Sequence, residues 1–256
     1  MKFIVQTLLA QSPEDYARFV GSPESARRVG YHQNSLNELI TKRGMIGDSQ
    51  FALVSVGMGP PAETVTVRRG DGRPLRTDGP FAETREVMGG FDVADFASHE
   101  DAIEFAKSEH ARDVDHVMIV RRIEESWWVN TFLANGSKLF MLSMFADADR
   151  GKLARRIQRV GAEYIRQRGI VARGTISWSG AILSPSAEAR SFQYAGELNL
   201  EVETPGARER KVMSAFVLVA AESIEDAAGW AEKLGPDEGD AIEVRSTGGF
   251  WFISHN

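Results

Sequence analysis

Cysteine is absent from this sequence of 256 residues. Its absence excludes disulfides, thiolate nucleophiles and cysteine-based zinc or iron–sulfur sites, and it is compatible with a reducing compartment, so we expect a cytoplasmic protein. Long apolar runs are lacking too, since no stretch approaches the roughly 20 residues that span a bilayer. The apolar start of the chain is short and meets a helix-start pattern at residues 12–15. We therefore interpret it as a first β-strand rather than a signal peptide, and we expect no membrane partner.

Motifs for metals, dinucleotides and nucleic acids are also missing. No H-E-x-x-H spacing occurs, so we predict no protein-bound metal. Residues 57–62 match G-x-G-x-x-A, but two prolines and an alternating segment follow where a dinucleotide site requires a helix. The arginines of residues 155–168 lie opposite an apolar stripe, and the net charge is −6, so no nucleic acid partner is expected. We expect no cofactor.

What the sequence does contain is an internal repeat. The segment that begins at Pro80 aligns without a gap with the segment that begins at Pro205, 125 positions later. The same offset pairs Arg43-Gly44 with Arg168-Gly169, and it pairs the last strands near Val117 and Ile242. With 43% hydrophobic residues, the chain can form two cores of ordinary size. We predict two domains, a first half (residues 1–134) and a second, degenerate half (residues 135–256).

Periodicity predicts the same elements in each half. A strand leads into a helix, strands such as residues 51–56 and 63–69 follow, and a further strand enters a second helix. Ser98-x-x-Asp101 and Ser223-x-x-Asp226 are candidate N-caps for this second helix. A last strand closes each unit, and the aromatic segments near Trp127 and Trp251 predict one extra strand from each half.

This order predicts an α+β protein of two fused ferredoxin-like units, each β-α-β-β-α-β plus an extra strand. Two helices would cover one face of each antiparallel sheet and leave the other face bare. Because a bare apolar face is unstable in water, we expect the two units to pack sheet against sheet within one chain. The product would be a monomeric pseudo-dimer or a homodimer of it.

The stretch TDGPFAETREVMGGFDVADFASHEDAIEFA, from Thr77 to Ala106, resembles the signature of YCII-related proteins of the DGPF type. The resemblance implies a dimeric α+β barrel with a pocket between sheet and helices. It also implies a His–Asp pair as acid–base machinery, whereas relatives in the wider superfamily include muconolactone isomerases, cofactor-independent monooxygenases and a dehydrochlorinase. The second half lacks the aspartate of the motif, so a site built on it should occur once.

Five residues are candidates for a site. Asp78 precedes a Gly-Pro turn that can fix a carboxylate in place, although it can equally serve its own turn. His32 falls on the apolar stripe of the first helix and should point at the sheet, as base, acid or a satisfied core histidine. Phe81 and Arg85 follow Asp78 and are candidate substrate contacts. Arg85 could hold an anionic ligand, order its loop by salt bridges or simply lie in solvent. Trp178 ends a strand where the barrel mouth is expected, or simply fills the core.

Two functions remain open from the sequence. The first is a small cofactor-independent enzyme of the isomerase, lyase or oxygenase kind, in which His32 and Asp78 move protons on a hydrophobic or aromatic carbonyl compound. The second is a non-catalytic module that binds a small molecule or a partner. Convergence of His32 and Asp78 on a cavity would favour the enzyme.

Overall fold

The computed structural model of the chain describes residues 1–9, 52–81, 87–108, 116–127, 138–146, 149–168, 178–195, 198–202, 204 and 212–254. In these residues the protein is α+β, with twelve strands and three helices. No helix in these ranges is long and apolar enough to cross a membrane.

The first half contributes six strands and one described helix. They are β1 Lys2–Leu9, β2 Ala52–Met58, β3 Val65–Gly70, β4 Arg73–Asp78, β5 Val87–Asp95, α1 His99–Ser108 and β6 His116–Trp127. The predicted first helix, with its glycine end at Gly44, falls in residues 10–51, outside the described residues.

The second half repeats this order and adds a described helix after its first strand. Its elements are β7 Lys138–Phe145, α2 Arg150–Arg168, β8 Trp178–Leu183, β9 Arg190–Ala195, β10 Leu198–Val202, β11 Ala215–Ala221, α3 Ile224–Leu234 and β12 Ala241–Ser254. Strand β9 begins 125 positions after β3, and the 3-10 turn at Ser186–Glu188 follows the one at Pro61–Glu63 by the same interval. The division at residue 134 stays a prediction.

Eight of the strands form a closed antiparallel barrel. Its order is β1-β5-β2-β12-β7-β11-β8-β6, and β6 pairs back onto β1. The barrel interior is apolar and draws on both halves, with Phe91 and Phe216 in ring contact at a centroid distance of 5.1 Å. Burial of apolar surface from both sheets is what favours closure. The predicted sheet-to-sheet pseudo-dimer is confirmed.

The predicted extra strands are wrong in one respect. In the described residues, Trp127 and Trp251 do not lie on separate strands but on the last strand of each half, which continues into the sheet of the other half. Strand β6 pairs with β1 up to Arg122 and then with β8, while β12 pairs with β7 up to Ser246 and then with β2. A continuous strand closes the barrel without leaving a sheet edge exposed at the junction.

Two hairpins also exchange between the halves. The sequence predicted a strand at residues 63–69, which is β3, but it did not predict the hairpin that β3 forms with β4. Strands β3 and β4 form a hairpin, and β3 pairs with β12 of the second half. Strands β9 and β10 form the equivalent hairpin, and β9 pairs with β6 of the first half.

Helices cover the outer faces of the sheets. In the second half, α2 and α3 pack on the sheet through a core that includes Ile157, Trp178 and Trp230. In the first half, α1 packs on β1 and β6 through Phe3, Phe105 and neighbouring residues. Both predicted N-caps are confirmed at the starts of α1 and α3. Ser98 and Asp101 exchange reciprocal hydrogen bonds of 3.1 Å, and Ser223 Oγ accepts from the Asp226 amide at 3.3 Å.

The register of the last strand differs from the offset of 125 by one residue. Met118 and Val120 of β6 face α1, just as Ile242 and Val244 of β12 face the second-half helices, so the true interval is 124. Because side chains alternate between faces, a shift of one residue exchanges the inner and outer faces of a strand. Pairing Val117 with Ile242 was therefore wrong.

Candidate functional site

Of the five predicted site residues, the structure describes Asp78, Phe81 and Trp178. His32 and Arg85 lie outside the described residues. Asp78 ends β4 opposite Val65, and its side chain is exposed on the hairpin that lies against the second half.

The Gly-Pro turn after Asp78 is fixed by main-chain contacts. The Gly79 amide donates to the Thr64 carbonyl at 2.8 Å, and the Thr66 hydroxyl donates to the Gly79 carbonyl at 2.7 Å. Gly79 adopts a φ of 94°, a region that residues with a β-carbon rarely occupy. The glycine of the motif is therefore required by the backbone.

Phe81 joins this turn to the sheet of the second half. Its ring lies 5.2 Å from the ring of Phe145, and the Arg68 guanidinium lies 4.7 Å from its centroid. Arg68 Nη2 also donates to the Phe81 carbonyl at 3.2 Å, and the Phe81 amide donates to Oε2 of Glu243 at 3.3 Å.

Glu243 is a buried acid that the sequence analysis missed. It lies on β12 between Thr66 of β3 and Ser143 of β7. Burial raises the pKa of this carboxyl, whereas Arg245 and the Phe81 amide act in the opposite direction. The corrected register equates Glu243 with Ile119, so the acid is present in the second half alone.

Trp178 lies in the core beneath the helices rather than at a barrel mouth. Its ring contacts Tyr164 at 5.5 Å and Trp230 at 6.3 Å between centroids, and it is 4% exposed. A β-carbon on Gly161 of α2 would lie 2.5 Å from its Nε1. Trp178 thus packs directly on the helix backbone and fills the space between sheet and helix.

The outer face of the first-half sheet carries a polar pair where the second half is apolar. Asp92 of β5 lies opposite Ser55 of β2, and the two side chains are 3% exposed. Their counterparts, Val217 and Gly180, are paired in the same way beneath α2. Asp92 shares a face with Ala94, which packs on α1, so the carboxyl points away from the barrel interior.

Next to this pair on the same face, three positions carry smaller side chains than their counterparts in the second half. Gly57, Gly90 and Thr7 lie next to each other on β2, β5 and β1, and all three retain partial exposure. The second half has Ile182, Ala215 and Met144 at these positions, each buried. We call Thr7, Ser55, Gly57, Gly90 and Asp92 the polar floor. In the second half the equivalent surface is filled by apolar side chains.

Comparison with protein families finds a match for the part of the chain that holds four of the five residues of the polar floor. Residues 25–124 match the model of the YCII-related domain. This segment is a YCII-related domain. No curated protein matches the chain.

The YCII-related domain includes Asp78, Phe81 and four residues of the polar floor, with Thr7 preceding the match. It includes neither Glu243 nor Trp178, and the second half gives no match of its own. The two halves share the same order of strands, but the family match covers the first half alone, so the tandem duplication stays a prediction. The fold is a dimeric α+β barrel built within one chain.

Asp92 was missed because its strand alternates in the usual way. Phe91 and Val93 face the barrel, so a polar residue between them is typical of a solvent-facing position. The repeat alignment could have identified Asp92, because it pairs this acid with the apolar Val217 of the second half.

The chemistry within reach of the polar floor is acid–base and hydrogen-bonding. Among the described residues, no three His, Asp or Glu side chains are placed to hold a metal ion. A buried carboxylate and a hydroxyl on a surface with little side-chain volume can accept a proton from a flat ligand and orient its oxygen.

Proposed function

We propose that the chain is a small cofactor-independent enzyme that transfers protons on a hydrophobic or aromatic carbonyl compound. The polar floor of the YCII-related domain forms the base of its site. The second half acts as a support whose equivalent surface is filled.

The observation that carries the proposal is the asymmetry between the two outer sheet faces. A valine fits the position of Asp92 in the second half, so the fold itself does not require an acid there. A buried polar residue that the fold does not require is a candidate for a functional residue. The glycine pair at Gly57 and Gly90 leaves bare backbone against which a planar compound can lie.

The acid–base pair we favour is His32 with Asp92. The apolar stripe that contains His32 is predicted to cover the outer face of the first-half sheet, and Asp92 lies on that face. Asp92 would act as base toward a proton next to the carbonyl, and Ser55 would donate to the carbonyl oxygen. Asp78 is the alternative carboxylate, with weaker support because its side chain is exposed.

The test does not need the natural reaction to be known. Aromatic and apolar carbonyl compounds are screened by thermal shift, and binders are then incubated with the protein in D2O. Proton NMR follows the loss of signal from the carbon-bound protons next to the carbonyl. A proton-transfer enzyme should catalyse this exchange, whereas a binding module should shift the melting temperature without exchange.

Variants then assign the roles. Asp92→Asn and His32→Ala should reduce the exchange rate by roughly 100-fold or more, as expected for a lost general base. Asp95→Asn is the matched control, because Asp95 lies on the same strand and pairs with Lys2 at the surface. Exchange lost in Asp78→Asn but kept in Asp92→Asn would transfer the role to Asp78. An unchanged exchange rate in Asp92→Asn, His32→Ala and Asp78→Asn would reject proton transfer at this site.

A further inference from the structure

Two buried arginines occupy equivalent positions on the last strands of the two halves. Arg121 of β6 donates to the carbonyls of Ser184 and Met213. Arg245 of β12 donates to the carbonyls of Gly59 at 2.7 Å and Met88 at 2.9 Å. The four carbonyls correspond at an interval of 125 residues, and the arginines are 1% and 2% exposed. Each guanidinium therefore donates hydrogen bonds from the last strand of one half to main-chain carbonyls of the other half.

The two arginines differ in their counter-charge. Arg245 has the buried Glu243 carboxyl nearby, two residues before it on the same strand. The position equivalent to Glu243 in the first half is Ile119, which is apolar and 3% exposed. Among the described residues, a buried acid accompanies Arg245 but none accompanies Arg121.

The charges around Arg121 do not compensate for this difference. Arg150 lies close enough to lower the pKa of Arg121, which burial brings down to about 10. The acids that act on it, Glu124 and Glu188, are partly exposed and form ion pairs with Arg122, and Glu124 also with Arg150. In the part of the chain that the structure describes, three arginines thus face two acids, and Arg121, the most buried of the three, forms no ion pair with either.

Arg121 also has a buried N–H group that donates no hydrogen bond within the described structure. Within the described structure, its Nε and the hydroxyl of Ser184 are buried and have no hydrogen-bond partner. An unpaired buried guanidinium is costly, and a buried donor without an acceptor adds to the cost. A small anion would meet both requirements.

We propose that Arg121 on β6 is a buried anion site that binds a small monovalent anion or the carboxylate of a ligand. The bound anion takes the part that Glu243 plays for Arg245. This site is separate from the polar floor, because Arg121 faces the barrel side of β6, opposite Ile4.

Thermal unfolding of the full chain tests the proposal at constant ionic strength. Sodium HEPES, whose bulky anion carries no carboxylate, is the reference salt and is replaced stepwise by sodium chloride or by sodium formate. We expect a saturable rise in melting temperature of about 3 °C at ten times the dissociation constant. A response to both salts indicates a general anion site, and a response to formate alone indicates a carboxylate site. If neither chloride nor formate raises the melting temperature, the proposal is overturned.

Two variants and one control locate the site. Ile119→Glu supplies a carboxylate at the position equivalent to Glu243 and should abolish the anion response, as should Arg121→Met. Arg190→Met removes an exposed arginine paired with Glu201 and should keep the full response. Crystals grown in bromide should show an anomalous peak beside Arg121, whether or not the variants fold. A response that persists in Arg121→Met, or a peak only elsewhere, contradicts the assignment.

Discussion

The Phe81 amide of the first half donates a hydrogen bond to the Glu243 carboxyl of the second half over 3.3 Å. Burial raises the pKa of Glu243 above its ordinary value. Protonation is therefore linked to folding with a definite sign. An acid whose folded pKa is raised contributes its full stability below the pKa of the unfolded chain, and that contribution is lost as pH rises through the folded pKa.

Glu243→Gln should consequently flatten the pH dependence of stability. Glutamine keeps an acceptor for the Phe81 amide but has no proton to lose, so the decline in unfolding free energy above about pH 4.3 should become smaller. Urea unfolding across the acid and neutral range measures this. Glu238→Gln, at an exposed glutamate, should reproduce the wild-type profile. A Glu243→Gln profile parallel to wild type would contradict the burial of an ionisable group.

Gly161 and Gly229 are helical glycines that should respond in opposite directions to alanine. A β-carbon at Gly161 would meet Trp178 Nε1 at 2.5 Å, whereas at Gly229 the nearest atom is Arg76 Nη2 at 3.9 Å. Overpacking should cost Gly161→Ala about 1–3 kcal/mol, partly offset by helix propensity. Gly229→Ala should gain up to about 1 kcal/mol. Chemical denaturation compares them, and equal effects would refute the tight Trp178 contact.

The caps of α1 and α3 should contribute similar amounts of stability. Ser98→Ala and Ser223→Ala each remove a side-chain acceptor from an orphan amide at a helix start. Each should lower the unfolding free energy by about 1 kcal/mol. Ser186→Ala, at an exposed serine in a 3-10 turn, should change it by less than about 0.5 kcal/mol. A neutral Ser98→Ala would show that the first-half cap is dispensable.

Exchanging Asp92 and Val217 should separate function from stability. Asp92→Val copies the second half and should cost no more than about 1 kcal/mol, while the thermal shift caused by carbonyl ligands disappears. Val217→Asp places a carboxylate in a filled apolar core and should cost about 3 kcal/mol or more. Urea unfolding and ligand thermal shift are measured on both variants. Similar destabilisation by both changes would make Asp92 a structural residue.

The repeat made most of the fold predictable, because local patterns agree with each other in both halves. The strands at Lys2, Ala52, Val65 and Val87 and the caps at Ser98 and Ser223 follow from short-range periodicity and turn chemistry. The hairpin exchange was not predictable in this way. Strand β3 pairs with β12, a partner more than 170 residues away, and nothing within residues 65–70 specifies that partner.

The site was harder to predict than the fold, since its residues are identified by contrast between the halves. Asp78 stands out in the sequence as part of a motif, yet its side chain is exposed and the turn after it serves the backbone. Asp92 and Glu243 do not stand out in the sequence of their strands. Whether such an acid is buried depends on which face of the strand is covered, and the sequence of the strand does not show this. For Glu243, an error of one residue in register was enough to conceal that it replaces Ile119.

The crossing of β6 and β12 between sheets also bears on synthesis of the chain. When the first 134 residues have left the ribosome, the inner faces of β1, β2 and β5 have no cover, and β2 has β5 on one side but lacks its second neighbour, β12. The nascent chain therefore keeps an incomplete sheet with an exposed apolar face until Thr247–Ser254 of β12 have emerged. The two halves produced as separate polypeptides should each be insoluble but rescue each other when made together in the same cell.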